Sequence, residues 1–260
     1  MLKDYIYVFL VLCFLEGCKT ISIEQTPDVD VEQKTLNTQK TLIMHYLDVG
    51  KSSEAYMEAR KILKQYPDDP ELLNLIGLSL LALRKPHLAI EHFRKSYSIS
   101  LQPATALNIS AALLELKNYS EAIKFLKNFL KNHKNYIYKE RVYHNIGVAY
   151  ESLKQYNLAE QYYRKAIDEN PAYIITIVKL GKLYQNINKI DVAAQKFEDA
   201  LYKCPNCYDP LESLVYVLKR TNKPDQAKKI ILQYLANKGI RAEDHAKAIS
   251  LLKTIDASYK

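Results

Sequence analysis

Two cysteines in the last quarter of the sequence are the residues whose type and spacing most directly suggest chemistry. Cys204 and Cys207 stand three positions apart in the sequence Cys-Pro-Asn-Cys. Such a pair can form a disulfide, remain as two free thiols, or take part in redox exchange or metal binding. Because the N-terminal residues, described below, predict export from the cytoplasm, we expect a structural disulfide between Cys204 and Cys207. The other uses of the pair stay open at this point.

The remaining residues do not form a recognisable catalytic or metal site. His87 and His92 are five positions apart, whereas two metal ligands on one face of a helix would be four apart. His144 is interpreted as a residue that lines an inner protein surface. The sequence also lacks a glycine-rich phosphate loop, an HExxH motif and a GxSxG motif. It therefore predicts a protein that is not an enzyme, with no catalytic residue, metal, cofactor or small-molecule substrate.

The segment 140–171 has the spacing of two short antiparallel helices joined by a turn. Gly147 and Ala159 are small at the positions where the two helices must approach closely. Pro171 ends the second helix, because proline cannot continue the interior of a helix. The pattern resembles the tetratricopeptide repeat (TPR) family, and the matching residues are Tyr143, Ile146, Gly147, Tyr150, Ala159, Tyr163, Ala166 and Pro171.

The same pattern recurs along most of the chain. The third unit carries three extra residues around Asn132–Asn135, which lengthen the turn that follows it. The first and sixth units have Ile43 and Val215 in place of the glycine, as is typical of terminal repeats. The TPR resemblance implies an all-α, right-handed superhelical solenoid of about six helix-turn-helix repeats with a C-terminal capping helix. The predicted repeats are 36–69, 70–102, 103–139, 140–173, 174–207 and 208–241, and the capping helix is 242–260, with Ala246, Ile249, Leu252 and Ile255 on one stripe.

The first 35 residues are predicted to contain an export signal followed by a flexible tether. Residues 1–17 have the features of a signal peptide, because the apolar run Tyr5–Leu15 is too short to span a bilayer. The sequence Leu-Glu-Gly-Cys ending at Cys18 resembles the lipobox of bacterial lipoproteins, which implies cleavage before Cys18 and its acylation. Residues 18–35 contain few apolar side chains and are predicted to be a flexible tether. The alternative is a signal that is not cleaved or does not use the cysteine.

The formal net charge of the chain is +8. Such a charge can reflect attraction to anionic lipid or to nucleic acid. Lysine and glutamate are interspersed along the chain, however, which is typical of a solvated surface. We therefore favour the solvated surface and expect no nucleic-acid partner.

The TPR resemblance also implies a binding surface, because in that family five positions of each first helix line a concave groove. In the second and third repeats these positions are mostly apolar, which is typical of a protein-binding site. In the later repeats they are polar and of mixed charge. The alternative is that the tether, the capping helix or tighter packing of the repeats buries the apolar strip. The predicted groove residues are Asn74, Leu78, Leu81, Leu107, Ala111, Leu114, His144 and Lys182.

Six repeats, a lipobox, a short tether and a C-terminal helix together resemble the TPR pilotin lipoproteins of type IV pilus systems (the PilF, PilW and Tgl type). This resemblance implies a lipoprotein of the bacterial outer membrane that faces the periplasm. Its groove would hold a secretin subunit and promote secretin insertion and oligomerisation. From the residues alone the prediction is narrower, namely a membrane-tethered adaptor that binds an extended or amphipathic protein segment through Leu78, Leu81, Leu107 and Leu114.

Two alternatives belong to other classes of function. One is a TPR scaffold lipoprotein for outer-membrane protein assembly or for cell-wall enzymes. The other is a redox protein that uses Cys204 and Cys207, since glutaredoxin-type sites share the C-P-x-C sequence. Those sites follow a strand and open a helix, whereas this pair ends one helix before the next. A receptor for chaperone tails is disfavoured, because Met44, Leu78 and Ala111 replace the polar residue of the TPR carboxylate clamp.

Overall fold

A computed structural model describes residues 29–256 of the chain, and within this range it contains 13 α-helices and no strand. The prediction of an all-α fold is confirmed. None of the helices within this range is both long and apolar enough to cross a bilayer. The predicted signal peptide and Cys18 lie outside the described residues. The helices are α1 Val29–Asp48, α2 Ser52–Leu63, α3 Pro70–Ala82, α4 Pro86–Ile99, α5 Pro103–Glu115, α6 Tyr119–Asn132, α7 Lys139–Ser152, α8 Tyr156–Glu169, α9 Ile174–Asn186, α10 Ile190–Lys203, α11 Tyr208–Arg220, α12 Pro224–Leu235 and α13 Ala242–Asp256.

The chain divides into two compact units, Met1–Gln39 and Lys40–Lys260. In the first unit, the described residues form the amino-terminal part of α1. The prediction of a flexible tether over residues 18–35 is therefore wrong for residues 29–35, which are helical. A low apolar content argues against a core but not against a helix, since glutamate, glutamine and lysine favour helix. Side-chain bonds one turn apart support this helix: Gln33 Nε2 donates to Asn37 Oδ1 (3.2 Å), and Thr38 Oγ1 donates to the Lys34 carbonyl (2.9 Å).

In the second unit, helices pack in pairs that follow the chain. Helix α3 packs on α4, α7 on α8 and α9 on α10, and each second helix also contacts the first helix of the next pair. The first helices of neighbouring pairs touch as well, α3 with α5, α5 with α7, and α9 with α11. Contacts therefore run between near neighbours in the sequence, as in a solenoid of stacked repeats. This arrangement places the first helices side by side on one face of the unit.

The distance between the two helices of a repeat is set by a glycine that faces an aromatic ring. A Cβ atom placed on Gly147 would lie 2.6 Å from the ring of Tyr163, which is fully buried. In the first repeat the larger Ile43 replaces the glycine and the smaller Ala59 replaces the aromatic residue, and both are buried. The two facing residues thus fill a similar space together in both repeats, as close packing requires.

A residue in the left-handed region of backbone conformation closes the turn between the two helices of each repeat. In the fourth repeat this residue is Lys154, and the following Gln155 N donates to the Tyr150 carbonyl at 2.9 Å. This bond pattern is typical of a helix that ends in a Schellman turn, where glycine is the favoured residue. Glycine occupies the position only in the first repeat. From the first repeat to the sixth, these residues are Gly50, Arg84, Lys117, Lys154, Asn188 and Asn222.

We expect the substitution Lys154→Gly to stabilise the protein. The lysine Cβ is unfavourable at φ 59°, and removing it gains more than the added flexibility of the unfolded chain costs, a net increase of about 0.5–1 kcal/mol in the free energy of unfolding. Urea unfolding followed by circular dichroism measures the change. The control is Lys124→Gly in the middle of α6, which should lose about 1 kcal/mol because glycine is a poor helix former. A loss of stability in both variants would contradict the argument.

A lysine buried in the second unit ties the first repeat to the second. Lys40 Nζ donates to Asp69 Oδ2 (2.7 Å) and to Glu71 Oε2 (2.9 Å). Burial acts to lower the pKa of Lys40, but the bonds to the two carboxylates outweigh it and leave the pKa raised. Asp69 also caps α3 by accepting a bond from Leu72 N (2.8 Å). The lysine therefore stays charged at neutral pH and holds the start of α3 against α1.

The last helix, α13, packs on α11 and α12, as predicted for a cap. Its buried face differs from the predicted stripe, because Ala246 and Ile249 are exposed while Ala248 and Ile255 are buried. The buried face also carries the carboxylate of Asp244, which pairs with the guanidinium of Arg241 at 2.7 Å. Apolar periodicity alone could not predict this rotation of the helix, because it counts aspartate as an outward-facing residue.

Candidate protein-binding groove

A cavity of about 840 Å³ opens between the first helices of the last three repeats and the capping helix. We call it the C-terminal groove. Because first helices of neighbouring repeats lie side by side, residues three, four or seven apart on each helix point into the same space. Helices α9 and α11 supply the two facing walls, and most of their lining residues are polar. The lining residues are Glu151, Lys179, Lys182, Gln185, Asn186, Glu212, Ser213, Val215, Tyr216, Lys219, Arg220 and Leu251.

The carboxylates of the C-terminal groove are already engaged by tyrosine hydroxyls. Tyr163 donates to Glu151 Oε2 at 2.6 Å, and Tyr208 donates to Glu212 Oε1 at 3.4 Å. Burial, and next the neighbouring Glu151 carboxylate, raise the pKa of Tyr163, so its hydroxyl remains a donor. The acidic residues of the groove therefore have fewer free lone pairs for its cations.

The cations of the groove have no carboxylate partner among the described ion pairs. They are Lys179, Lys182, Lys219 and Arg220, on α9 and α11. Lys219 Nζ donates to Thr254 Oγ1 at 3.3 Å, and the Arg220 guanidinium lies 5.8 Å from the centre of the Tyr216 ring. Two engaged carboxylates and four cations give this surface a positive potential. Such a surface attracts carboxylates of a partner.

An aromatic side chain stands in the same groove. Tyr216 is 50% exposed, although it is a large residue on a regular helix. Rigid, partly exposed tyrosines are frequent anchors of protein interfaces, because they bury a large area at a small entropic cost. Sequence reasoning missed Tyr216 and Leu251. The available signal for Tyr216 was its place at the ninth position of the sixth repeat, one of the five groove positions of the TPR family.

Of the later predicted groove residues, Lys182 is exposed and lines the C-terminal groove, whereas His144 does not. The prediction that His144 lines the inner face is wrong, because its side chain is only 8% exposed. Its Nδ1 atom lies 2.8 Å from Thr176 Oγ1, and its ring contacts those of Tyr163 and Tyr173. The first helix of the next repeat covers this position, so His144 joins α7 to α9 instead of facing a partner.

The burial of His144 predicts a pH dependence of stability. Burial, and then the positive charge of Lys179, lower the pKa of His144 to about 4. The unfolded chain therefore binds a proton near pH 6.5 that the folded chain does not, and the free energy of unfolding falls by up to about 1.4 kcal/mol per pH unit as the pH drops below 6.5. We expect His144→Gln to remove the contribution of His144 to this slope between pH 6.5 and 5 in urea unfolding. An unchanged slope would contradict the assignment.

The apolar strip of the second and third repeats lies on α3 and α5 and does not line the C-terminal groove. Its leucines are half-buried, while Ala111 is exposed. Asn74 Oδ1 accepts a bond from Asn108 Nδ2 at 2.9 Å, so this amide links the two helices. Packing between repeats thus covers the strip in part. The half-buried leucines are Leu78, Leu81, Leu107 and Leu114.

The structure joins Cys204 and Cys207 by a disulfide, with Cα atoms 5.4 Å apart, in the turn between α10 and α11. The backbone of the same turn holds the end of α12. Asn237 Nδ2 donates to the Pro205 carbonyl (3.0 Å), and Tyr234 Oη donates to the Asn206 carbonyl (3.2 Å). The disulfide therefore closes a turn at the junction of the last two repeats.

Two segments of the chain match family models described as tetratricopeptide repeat, residues 105–136 and 140–173. Among curated proteins, the type IV pilus assembly protein PilF of Pseudomonas aeruginosa is 27% identical over 167 residues, which cover 63% of this chain and 65% of PilF. Superkiller complex protein 3 of Mus musculus is 31% identical over 135 residues, which cover 52% of this chain and 8% of that protein. The chain thus spans less than two thirds of the length of these relatives.

Solved structures of similar fold include two pilus proteins. The structure of pilF from Pseudomonas aeruginosa has a TM-score of 0.63 at 19% identity and covers 85% of this chain and 99% of its own. PilW, a type IV pilus biogenesis factor, has a TM-score of 0.65 at 18% identity and covers 82% of this chain and 97% of its own. Yeast Tom70 has a TM-score of 0.66 at 14% identity and covers 86% of this chain and 47% of its own. The chain contains tetratricopeptide repeats and resembles type IV pilus biogenesis factors in sequence and fold.

Proposed function

We propose that this chain is an adaptor of type IV pilus biogenesis that holds a segment of a partner protein in its C-terminal groove. The observation that carries the proposal is the groove itself, with four cations that lack carboxylate partners around the exposed ring of Tyr216. The sequence similarity to PilF, named as a type IV pilus assembly protein, supports the choice of pathway. The fold similarity to PilW agrees with it.

The groove chemistry defines the partner segment. A segment with carboxylate side chains, or a C-terminal carboxylate, would satisfy the cations of α9 and α11. An aromatic or aliphatic side chain of the same segment would pack on Tyr216 and Leu251. The apolar strip on α3 and α5 would then contact a more apolar part of the partner. A partner with both characters gains affinity from the apolar contacts and correct placement from the charges.

The proposal also includes the anchor and the identity of the partner. Acylated Cys18 would attach the chain to the outer membrane, with the repeats in the periplasm. The partner would be a secretin subunit, and the chain would act as a pilotin that assists secretin assembly. The support for this part is the lipobox-like sequence before Cys18 and the resemblance to the TPR pilotin lipoproteins.

A complementation experiment tests the proposal. In the source bacterium without this gene, we expect secretin oligomers to be lost from isolated outer membranes and to return with the wild-type chain. Tyr216→Ala should fail to restore them, because it removes the aromatic anchor of the groove. The matched control is Tyr202→Ala, which removes an 86% exposed tyrosine from the second helix α10 and should restore them fully. Normal secretin oligomers in the strain that lacks the gene would refute the pilotin role.

A further inference from the structure

Two neighbouring turns outside the C-terminal groove expose large apolar side chains. Ile137 is 77% exposed in the long turn before α7, and Leu101 is 62% exposed in the turn before α5. The two turns are adjacent, because Pro103 and residues 131–136 line one cavity. We call this surface the turn patch. It consists of Ile99, Leu101, Ile137 and Tyr138 together with Lys131, Lys134 and Arg141.

The turn patch is held in place by a chain of aromatic contacts. The ring of Tyr136 packs against that of Phe129 with centroids 5.3 Å apart, and against that of Tyr138 at 6.0 Å. The Arg141 guanidinium in turn lies 5.2 Å from the centre of the Tyr138 ring. The backbone closes with Tyr136 N donating to the His133 carbonyl at 3.1 Å. Ile137 therefore sits between two anchored tyrosines and points to solvent from a fixed turn.

The exposed charges of residues 131–141 are of one sign. Lys131, Lys134 and Arg141 are exposed, and neither lysine forms an ion pair with a described carboxylate. The single acidic residue of residues 131–141 is Glu140, which is 4% exposed and lies 4.0 Å from Arg141. Residues 131–141 thus present an isoleucine and a tyrosine next to exposed cations, with no exposed carboxylate in that segment.

We propose that the turn patch binds the surface of an anionic lipid bilayer. Isoleucine and leucine can enter the boundary between headgroups and acyl chains, while tyrosine and arginine remain at the level of the headgroups. Each lysine close to an anionic membrane strengthens the binding through its charge. A bilayer surface accepts apolar side chains and cations together without a pocket of specific shape. This binding uses neither the C-terminal groove nor a pilus partner.

The chain contains no tryptophan, so one introduced tryptophan can report on the position of the patch. We would prepare the full-length protein as Ile137→Trp and, as the matched control, as Leu88→Trp. Leu88 is also exposed but lies in the first turn of α4, at the opposite end of the helices. Both proteins would be added to vesicles of phosphatidylethanolamine and phosphatidylglycerol with a brominated phospholipid. Any attachment through the N-terminus is the same in the two proteins.

We expect the tryptophan at position 137 to shift its emission to shorter wavelength and to be quenched by the brominated lipid. The tryptophan at position 88 should keep its emission. Adding Lys131→Gln and Lys134→Gln to the Ile137→Trp protein should lower the fraction of quenched molecules. Each lost lysine should reduce the membrane partition coefficient about fivefold. A water-like, unquenched emission at position 137 would refute the proposal. If the emission at position 137 shifts when solubilised envelope proteins are added but not when vesicles are added, the proposal is also refuted, and the patch binds a protein instead.

Discussion

The substitution Gly147→Ala is expected to lower the free energy of unfolding by roughly 2–3 kcal/mol, because overpacking a core costs about that much. Helix propensity alone predicts the opposite sign, since alanine is favoured over glycine in a helix by about 1 kcal/mol. The steric term dominates because the new Cβ would lie 2.6 Å from the ring of Tyr163, a buried side chain with no space to retreat. Urea unfolding at neutral pH measures the difference.

A second substitution tests whether the Tyr163 ring causes the loss of stability in Gly147→Ala. The third repeat accommodates Ser110 opposite the smaller Leu126 at the corresponding positions, and both are buried. We therefore expect Gly147→Ala with Tyr163→Leu to lose at least about 1 kcal/mol less than the sum of the two single variants. The exposed Ser152→Ala in the same helix is the control and should not destabilise. Additive losses would show that the alanine acts through something other than the ring.

Reversal of two charges in the C-terminal groove should weaken the binding of the partner about a hundredfold, because like charges placed across an interface cost several kcal/mol. The variant is Lys182→Glu with Lys219→Glu, one residue on each wall of the groove. Both side chains are exposed and neither pairs with a described carboxylate, so the fold should not depend on them. Affinity can be measured by titrating the purified partner domain against the full chain.

The matched control carries the same change of net charge on another surface. Lys124→Glu with Lys229→Glu reverses two exposed lysines on the second helices α6 and α12, neither of which lines the groove. It should bind within about twofold of the wild type, since charges at a distance act mainly through a screened long-range field. Equal weakening in both variants would indicate a general charge effect and would contradict a specific role of the groove.

The repeats could be predicted from the sequence because their pattern is local. Gly147 and Tyr163 lie 16 positions apart within one helix pair, and neither needs a distant partner to define the fold. The long turn around Asn132–Asn135 was predicted in the same way and lies between α6 and α7. Features that depend on one pair of helices were therefore accessible, and the all-α class followed from them.

Features that depend on packing between elements could not be predicted from the sequence in this way. His144 was placed on the inner face by its position in α7, but Thr176 of the next repeat covers it at 2.8 Å. The predicted stripe of α13 did not include Asp244, which is buried and pairs with Arg241. The sequence pattern of the fourth repeat does not contain Thr176, and a count of apolar residues along α13 does not register a buried carboxylate.

The central claim is that the C-terminal groove holds a component of the pilus machinery. A photoreactive residue introduced at position 182 in the full-length protein, expressed in the native envelope, tests it most directly, with position 124 on α6 as the control. After illumination, purification and mass spectrometry, we predict that a secretin subunit or another pilus component is crosslinked at position 182 and absent at position 124. A component of outer-membrane protein assembly, a cell-wall enzyme, or no crosslink at position 182 would contradict the claim.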